Sequence, residues 1–415
     1  MEVSFRKKGK VAIIGQGYVG LPLAMASVKA GWEVIGIDNV SRKVEQIKSG
    51  ISPIEDISNS ELQLALSSEK YEITDDYSKV SEVTTVILCV PTPLNSKHEP
   101  DLSLLEDAVR NAAPFLGSES ILINESTSYP GTLRNFIINL VKDVRQNGID
   151  TLYFASAPER VNPGDLVWNQ TNTPRLVGGV DEKSKNIALN FYDSICNYAI
   201  PVASPEIAEA AKLLENTFRL VNIGLINEFA QACANAEINI YDVIEAAASK
   251  PYGFMRFTPG VGVGGHCIPV DPLYFTWWAR NNGNVAELVE SADSVNRSMP
   301  KYIADWVVGK LPFEQTNYRI LLLGVAYKPG VADTRETAAS ALRSELEKKG
   351  VVVGWHDPLV DEWEGTQGSR IDWPCDAAIL VTNQPGLEIQ RIIKTGTVIF
   401  DCTNSIAKQD GVISL

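Results

Sequence analysis

Residues 10–20 read KVAIIGQGYVG, and this stretch decides the fold of the first part of the chain. The apolar run before Gly15 predicts a buried strand, and the residues from Tyr18 onward predict a helix that ends at Gly31, a typical C-terminal cap. A second apolar run, WEVIGID, predicts another strand that ends at Asp38. A strand, a helix and a strand in this order form a βαβ unit, so the predicted sheet is parallel with helices on both faces.

The glycines of this turn have the spacing Gly15-x-Gly17-x-x-Gly20, and Asp38 closes the following strand. Such glycines let a pyrophosphate approach the backbone at a helix N-terminus, while the carboxylate binds ribose hydroxyls. We therefore predict a dinucleotide site; the alternative is a glycine-rich turn in an empty Rossmann-like domain. Asp38 would repel a 2′-phosphate, which favours NAD over NADP, although Arg42 could accept that phosphate. The predicted cofactor contacts here are Gly15, Gly17, Tyr18, Val19, Gly20, Asp38 and Arg42.

Two later strands, TTVILCV and SILINEST, end in hydroxyl side chains. Thr92 follows the first of these strands, and Ser126 and Thr127 follow the second. A doubly wound sheet binds its ligands at the carboxyl ends of its strands, so we predict that Thr92 and Ser126 contact the cofactor. Each of these residues could instead be part of an ordinary turn or cap.

The pattern of elements changes twice along the 415 residues. Strands and helices alternate up to Pro205, residues 206–250 read as almost continuous helix, and alternation returns at Arg319. We predict an α/β protein with two Rossmann-like doubly wound domains joined by an all-helical domain. The predicted boundaries are 1–205 for the NAD-binding domain, 206–312 for the helical domain, which carries a glycine-rich cysteine loop, and 313–415 for the second Rossmann-like domain.

Composition excludes several classes of function. A formal net charge of -14 provides no basic surface for nucleic acid, and no apolar run is long enough to span a bilayer. We found no cleavable signal sequence and expect a cytoplasmic protein. The six cysteines are scattered, and there are three histidines, so a disulfide framework and a zinc site are both disfavoured.

The loop GVGVGGHCIPVD raises the question of what Cys267 does. With disulfide and metal chemistry disfavoured, a buried apolar residue and a nucleophile remain. Asp271 stands four residues after this cysteine, and Glu159 ends the predicted strand LYFASAPER. Lys212 and Asn216 are four residues apart on the predicted central helix, which places both on one face. That face could equally be a solvated polar stripe.

These residue types fit one chemistry. An aldehyde is oxidised further when a thiolate captures it as a thiohemiacetal, which then becomes a thioester and is hydrolysed. A nearby lysine favours the thiolate and stabilises an oxyanion, and a carboxylate can activate water. The glycines around Cys267 would let a bulky substrate approach the backbone. The sequence therefore favours a cysteine-based oxidation.

Seven motifs in order resemble the UDP-glucose/GDP-mannose dehydrogenase family over essentially the whole chain. They are GQGYVGLPLA, CVPTPLNSKHEPDLS, EST, APERVNPG, AKLLENTFR, GVGGHCIPVDP and GVAYKPGVADTRET. The resemblance implies NAD-dependent four-electron oxidation of the C6 hydroxyl of a nucleotide sugar to a carboxylate. It also implies a homodimer made by a long central helix, while the charge and the short apolar runs argue against a nucleic-acid or membrane partner.

The resemblance assigns roles residue by residue. It implies that Cys267 is the nucleophile, that Lys212 and Asn216 stabilise the intermediate, and that Asp271 works with a water. Glu159 and Thr127 are implied in thioester hydrolysis, and Arg335 in contact with the cofactor. The implied substrate contacts are Glu159, Arg160, Lys212, Asn216, Phe254, Gly264 and Lys328.

The motif PERVNPG departs from the UDP-glucose branch, which has a second acidic residue where this chain has Asn162 and Pro163. This departure resembles enzymes of 2-acetamido sugars, so UDP-N-acetylglucosamine is the first expected substrate and UDP-N-acetylmannosamine the second. UDP-glucose and GDP-mannose remain alternatives with the same mechanism. A two-electron 3-hydroxyacid-type dehydrogenase needs neither Cys267 nor the last domain. A regulator that binds nucleotide sugars without turnover would not need the four residues Lys212, Asn216, Cys267 and Asp271.

Overall fold

The structure is a computed structural model that describes residues 9–145, 148–161, 167–265, 267–312 and 317–415. The chain folds into two compact units. The first comprises Met1–Glu215 and Leu273–Trp278, and the second comprises Asn216–Pro272 and Ala279–Leu415. Two α/β parts flank a helical part, as the sequence predicts, and the boundary between the units falls within the long central helix.

The first unit is built on a sheet that has eight strands within the described residues, in the order β3-β2-β1-β4-β5-β6-β7-β8. The strands are β1 (Lys10–Ile14), β2 (Glu33–Ile37), β3 (Tyr71–Thr74), β4 (Thr85–Leu88), β5 (Ile121–Asn124), β6 (Tyr153–Ser156), β7 (Arg175–Gly179) and β8 (Ala199–Pro201). Strands β1 to β6 are parallel, and their order is that of a dinucleotide-binding doubly wound sheet.

Strand β7 departs from the predicted parallel arrangement, because it pairs antiparallel with β6. A parallel return needs a crossover connection, usually a helix. Residues 157–161 and 167–174, the described parts of the β6–β7 connection, contain no helix. The antiparallel pairing is consistent with this connection.

Helices cover both faces of the first sheet. They are α1 (Gly20–Lys29), α2 (Ser41–Lys48), α3 (Asn59–Ser67), α4 (Ser103–Ala112), α5 (Ile138–Val144) and α6 (Glu182–Tyr192). Alternate residues of β1 enter different cores: Val11 and Ile13 pack on one face, and Ala12 and Ile14 on the other. Gly31, just after α1, has φ +97°, as expected for the residue that follows a helix C-terminus.

The helical part consists of α7 (Pro205–Asn235), α8 (Ile240–Ala248), α9 (Asp271–Asn281) and α10 (Glu287–Lys310). The predicted near-continuous helix over 206–250 is interrupted before α8, where the side chain of Asn239 caps the new helix. In the second unit, α7 approaches α10 closely, since a Cβ on Gly224 would lie 3.0 Å from the carbonyl oxygen of Ala292. The buried side chains of Asn227 and Asn296 form a hydrogen bond of 2.9 Å across this contact.

The second sheet has five parallel strands within the described residues, in the order β10-β9-β13-β14-β15. They are β9 (Arg319–Leu323), β10 (Val352–His356), β13 (Ala377–Leu380), β14 (Val398–Asp401) and β15 (Val412–Ser414), with helices α11 (Ala338–Lys348) and α12 (Ile389–Ile393). A hairpin of β11 (Glu362–Trp363) and β12 (Thr366–Gln367) packs against it through Trp363. The order along the chain is 2-1-3-4-5, the second common doubly wound arrangement.

Candidate active site

The turn between β1 and α1 requires two of its three glycines for steric reasons. Gly15 has φ +91°, and a Cβ there would lie 2.5 Å from the carbonyl oxygen of Cys89. A Cβ on Gly20 would lie 1.8 Å from the carbonyl oxygen of Gly15. At Gly17, by contrast, no atom of the described residues lies within 4 Å of the Cβ position. The turn therefore has open space beside Gly17, where we predict that a pyrophosphate approaches the backbone.

Tyr18 and Val19 lie between this turn and α1. The hydroxyl of Tyr18 donates to the carboxylate of Glu55 at 2.8 Å. Val19 is the N-cap residue of α1, and its half-buried side chain packs against the apolar core. Both side chains make contacts within the first unit, so any cofactor contact from this segment comes most simply from its backbone.

Asp38 is buried and already has partners on both carboxylate oxygens. It accepts hydrogen bonds from the backbone N–H of Gln16 at 2.8 Å and of Val40 at 3.0 Å, and its Oδ2 pairs with Lys43 Nζ at 2.7 Å. Arg42, the predicted competitor for a 2′-phosphate, is exposed on α2. The cation beside Asp38 is thus Lys43, which the sequence prediction missed although it stands five residues after Asp38.

Thr92 and Ser126 use their hydroxyls within the protein. The Oγ of Ser126 accepts from the N–H of Val90 at 3.0 Å and donates to the carbonyl of Val90 at 2.8 Å. The Oγ1 of Thr92 donates to the carbonyl of Thr127 at 2.8 Å. These bonds join the chain after β4 to the chain after β5. Both hydroxyls therefore hold the ends of these strands together, and contact with a cofactor stays a prediction for both residues.

Glu159 and Thr127 follow neighbouring strands of the first sheet. Glu159 is 9% exposed, and its carboxylate accepts a hydrogen bond from the N–H of Val161. Its own N–H donates to the carbonyl of Glu125 at 3.3 Å, and Glu125 lies two residues before Thr127. Thr127 is half-buried. The backbone bond therefore ties the two loops that carry these residues.

Arg160 is held by α7 rather than left extended. Its guanidinium makes two bonds to the carboxylate of Glu215, at 2.5 and 3.1 Å, and a third to the carbonyl of Pro174 at 2.8 Å. A bidentate pair of this kind fixes the plane of the guanidinium. Glu215 is a partner that the sequence prediction did not name.

Lys212 and Asn216 lie one turn apart on α7, as their spacing predicts. Lys212 is 4% exposed, and Asn216 is fully buried. Among the described residues, none forms a hydrogen bond or an ion pair with the ammonium group of Lys212. Burying a cation is costly unless a partner is supplied, which marks this ammonium as a group that a ligand can satisfy.

Asn216 links α7 to the start of α9 within the second unit. Its amide nitrogen donates to the carboxylate of Asp271, and its Oδ1 accepts from Arg219. Asp271, 1% exposed, begins α9, and its N–H donates to the carbonyl of Cys267 at 3.0 Å. Cys267 is half-buried. The structure thus brings together three of the predicted residues, Asn216, Asp271 and Cys267.

Two of the glycines before Cys267, Gly264 and Gly265, pack against one side chain of the protein. Gly265 has φ +79°, and its Cβ position lies 2.7 Å from the ring of Tyr327. A Cβ on Gly264 would lie 2.9 Å from the side chain of the same tyrosine. A side chain at either position would therefore meet Tyr327, and the approach of a substrate to this backbone stays a prediction. This packing partner lies far along the chain, so the sequence motif could not reveal it.

The remaining predicted residues lie at the surface or beside the same tyrosine. Phe254 is exposed, and Lys328 Nζ lies 5.7 Å from the ring centroid of Tyr327. The exposed side chain of Arg335 pairs with Asp333 at 2.6 Å, and its carbonyl accepts from Gly265 at 3.3 Å. Arg335 therefore touches the cysteine loop through its backbone.

No disulfide joins any two of the six cysteines, all of which lie in the described part of the chain. Burial raises the pKa of the Cys89 and Cys402 thiols above the ordinary value, which leaves them unreactive, whereas Cys267 is only half-buried. The described residues hold no group of three or more His, Cys, Asp or Glu side chains arranged for a metal ion. None of the described helices is long and apolar enough for a bilayer crossing. Asn162, Pro163 and His266 lie outside the described residues.

Comparison with known proteins identifies the family in three consecutive parts. The UDP-glucose/GDP-mannose dehydrogenase family matches through its NAD binding domain at residues 9–196, its central domain at 206–298 and its UDP binding domain at 321–408. These matches cover most of both sheets and most of the helical part between them.

Among individual relatives, UDP-N-acetyl-D-mannosamine dehydrogenase of Pyrococcus horikoshii is 36% identical over 91% of this chain and 90% of its own length. UDP-N-acetyl-D-glucosamine 6-dehydrogenase of Salmonella typhi is 33% identical over 86% and 83%. A solved structure of UDP-D-ManNAc dehydrogenase from Pyrococcus horikoshii superposes with a TM-score of 0.85 at 33% identity, covering 98% of each chain. The chain belongs to the UDP-glucose/GDP-mannose dehydrogenase family and is an NAD-dependent nucleotide-sugar dehydrogenase.

Proposed function

We propose that this enzyme oxidises the C6 hydroxyl of a UDP-2-acetamido-hexose to the carboxylic acid by way of a thioester on Cys267. The observation that carries the proposal is the hydrogen-bonded pair of Asn216 and Asp271, in which the N–H of Asp271 also donates to the backbone carbonyl of Cys267. A half-buried cysteine whose loop is bonded to a residue with a buried, amide-paired carboxylate fits covalent capture better than a purely structural cysteine.

The chemistry balances as two oxidations and one hydrolysis. NAD, when bound, accepts a hydride in each oxidation. Between them the Cys267 sulfur adds to the aldehyde and forms a thiohemiacetal, and the second oxidation leaves a thioester. Water then cleaves the carbon–sulfur bond, which releases the carboxylate and returns the thiol.

Four other residues have roles in this proposal besides Lys212. The ammonium of Lys212 stabilises the oxyanion that forms when a nucleophile adds to the carbonyl, and Asn216 orients the groups around it. Asp271 works with a water as acid and base. Glu159 and Thr127 serve the hydrolysis of the thioester. The buried ammonium of Lys212, without a partner among the described residues, supports the first of these roles.

For the sugar, the sequence places UDP-N-acetylglucosamine before UDP-N-acetylmannosamine on the basis of Asn162 and Pro163. The names of the relatives favour the reverse order, since the relative at 36% identity acts on the mannosamine compound and the one at 33% on the glucosamine compound. We therefore take UDP-N-acetylmannosamine as the first substrate to test. Both substrates share the 2-acetamido group, on which the proposal rests.

We also propose a homodimer that forms along α7. Exposed apolar side chains follow this helix at alternating spacings of seven and four residues: Ile207, Leu214, Phe218, Leu225 and Phe229. Leu214 is 70% exposed. A stripe with this period lies along one side of a helix, and a second copy would cover it. The domain boundaries 1–205, 206–312 and 313–415 complete the proposal.

The mechanism is tested by replacing Cys267 with serine. A serine hydroxyl is a poor nucleophile at neutral pH, so we expect no net acid, while NAD affinity stays within about twofold because the change lies outside the glycine turn. Product is measured by mass spectrometry and NAD affinity by calorimetry. Cys375→Ser, at another half-buried cysteine, is the matched control and should keep full turnover. Acid formation at the normal rate by the Cys267→Ser enzyme would contradict the mechanism.

The substrate is tested by initial rates with UDP-N-acetylmannosamine, UDP-N-acetylglucosamine, UDP-glucose and GDP-mannose. A site that hydrogen-bonds an acetamido group should discriminate against a plain hydroxyl on the order of a hundredfold in kcat/KM, since its own polar groups stay unpaired otherwise. Each turnover should release two NADH. Preference for UDP-glucose would overturn the sugar assignment alone, and one NADH per sugar would indicate a two-electron dehydrogenase.

A further inference from the structure

A charged pair lies in the interior of the first unit, outside all the residues discussed as catalytic. Glu125 is 1% exposed and Arg175 2% exposed, and their side chains form an ion pair of 2.9 Å. The hydroxyl of Tyr192 donates to the other carboxylate oxygen at 2.5 Å. The second guanidinium nitrogen of Arg175 donates to Gln170 Oε1 at 2.6 Å. The pair is therefore enclosed and well supplied with hydrogen bonds.

The position of the pair relates it to the two loops proposed for hydrolysis. Glu125 directly follows β5, two residues before Thr127, and its carbonyl accepts the N–H of Glu159 at 3.3 Å. Arg175, at the start of β7, also donates to the carbonyl of Ala157 at 3.3 Å, two residues before Glu159. The two residues of one ion pair are thus bonded to the backbone of the loop that carries Glu159, and Glu125 also stands two residues before Thr127.

Stability alone gives little reason to keep such a pair. Burying two charges costs several kcal/mol each, and apolar residues of similar volume are often as stable or more stable. What an ion pair with several directed bonds adds is a fixed geometry, because a planar guanidinium bonds only along defined directions. The structure therefore suggests a positional role.

We propose that Glu125 and Arg175 are positioning residues for thioester hydrolysis, and that they hold Thr127 and Glu159 at the carboxyl ends of β5 and β6. The proposal rests on the function proposed above. It adds that the Glu125–Arg175 ion pair supports one step of that function, the hydrolysis of the thioester. In that step water adds to the thioester carbonyl, the carbon–sulfur bond breaks, and the Cys267 thiol is regained. Both oxidations precede this step, so loss of the pair leaves them intact.

The first test replaces both residues, as Glu125→Met with Arg175→Met. A displacement of about 1 Å can cost up to about a hundredfold, so we expect steady-state turnover to fall roughly 10- to 100-fold. Rapid mixing should still show a burst of two NADH per site at close to the wild-type rate, with KM for NAD unchanged. Mass spectrometry of the quenched enzyme should show an acyl group on Cys267 at higher occupancy than in the wild type.

A matched control makes the same exchange at the ion pair of Arg134 and Glu206, in the same unit, whose side chains are 46% and 32% exposed. It should leave both the burst and the steady rate unchanged. Should the buried double variant fail to fold, Arg175→Lys is the second variant to test. It keeps the positive charge and loses the planar guanidinium with its fixed N–H directions. It should show the same accumulation of acyl-enzyme with a smaller loss of rate.

Two results would overturn the proposal. In the first, the variants show a slower burst or a raised KM for NAD, and no acyl-enzyme accumulates. In the second, the folded variants turn over at the wild-type rate. Either would make the pair structural or tie it to cofactor binding. Failure of the underlying function is seen separately, in the wild-type enzyme, as one NADH per sugar or as a wild-type thiol that never carries an acyl group.

Discussion

The two sheets begin with the same turn and use it differently. In the first sheet the N–H of Gly15 donates to the carbonyl of Ile37 at 2.7 Å, and in the second the N–H of Gly324 donates to that of His356 at 2.9 Å. Both glycines have positive φ, at +91° and +75°. Each turn thus crosses to the neighbouring strand through one glycine.

An aspartate at the end of that neighbouring strand anchors each turn. Asp38 accepts the N–H of Gln16 at 2.8 Å, and Asp357 accepts the N–H of Val325 at 2.8 Å. Asp357 also accepts the N–H of Ala326 at 3.2 Å. The carboxylate that the sequence assigns to ribose binding in the first sheet therefore has a structural counterpart in the second.

The two turns differ in the segment that comes after the glycine. After Gly15 the chain enters α1 at Gly20, whereas after Gly324 it does not enter α11 until Ala338. The intervening segment is fixed by Gln384, whose side chain accepts from the N–H of Gly330 at 2.8 Å and donates to the carbonyl of Val331 at 3.0 Å. The first glycine and the aspartate thus build the turn, and the later glycines with an immediate helix are the part that we predict to bind a dinucleotide.

The largest effect is expected for Gly20→Ala. The new Cβ would lie 1.8 Å from the carbonyl oxygen of Gly15, so the turn must open. We expect NAD affinity to fall by roughly 100-fold or more, a loss of about 2.7 kcal/mol in binding, along with a lower melting temperature. Calorimetry and thermal unfolding measure the two.

The matched variant Gly324→Ala faces a similar clash, with its Cβ 1.9 Å from the carbonyl oxygen of Thr382. It should lower the melting temperature. The NAD affinity of the folded protein should stay within about twofold, because the turn at Gly324 is not predicted to contact NAD. If both variants weakened NAD binding equally, the distinction between the turns would be wrong.

A smaller effect is expected when the two aspartates are exchanged for asparagine. Asp38→Asn should raise KM for NAD roughly tenfold and reduce the preference over NADP, because the ribose loses a charged acceptor. Asp357→Asn should cost about 1–3 kcal/mol of stability, since it weakens the acceptor of two buried N–H groups, with no change in KM for NAD. Steady-state kinetics with NAD and NADP measure the cofactor effect, and denaturant unfolding measures stability. A raised KM for NAD in Asp357→Asn would contradict the difference between the two turns.

Gly17→Ala separates ligand space from protein packing. No atom of the described residues lies within 4 Å of the new Cβ, so the melting temperature should change by less than about 2 °C, while NAD affinity should fall by about tenfold. The control is Gly309→Ala, an exposed helical site with equally open surroundings, where we expect about 0.5–1 kcal/mol of added stability and unchanged NAD affinity. Loss of stability without loss of affinity in Gly17→Ala would show that the open space serves the fold.

The smallest effect concerns the cations beside Asp38. Lys43→Met removes the ion pair at 2.7 Å and should lower kcat/KM for NADP by a few-fold more than for NAD, since a partly exposed pair is worth about 1 kcal/mol or less. Arg42 is exposed and lies one residue earlier. Arg42→Met should change kcat/KM for NAD and for NADP by no more than about twofold. A larger shift from Arg42→Met would restore the role that the sequence assigns to it.

The sequence by itself determined the features that depend on local geometry. A tight turn after a strand needs glycine whatever surrounds it, so Gly15 and Gly20 predict the turn between β1 and α1, which the structure contains. The contacts of this turn and of Asp38 with NAD stay a prediction. Apolar runs long enough to be buried predict the central strands of both sheets, and the spacing of four residues places Lys212 and Asn216 on one face of α7. Strands β3, β8, β11, β12 and β15 were missed, since none of them lies in a long apolar run of the sequence.

Only the tertiary structure decided features that join distant parts of the chain. The ring of Tyr327 explains Gly264 and Gly265, and the backbone of Val90 explains the hydroxyl of Ser126. The buried pair of Glu125 and Arg175 joins residues fifty positions apart. Hydrogen bonds and steric contacts act over a few ångströms in space and carry no signature in sequence separation, so a sequence can name such residues but not their partners.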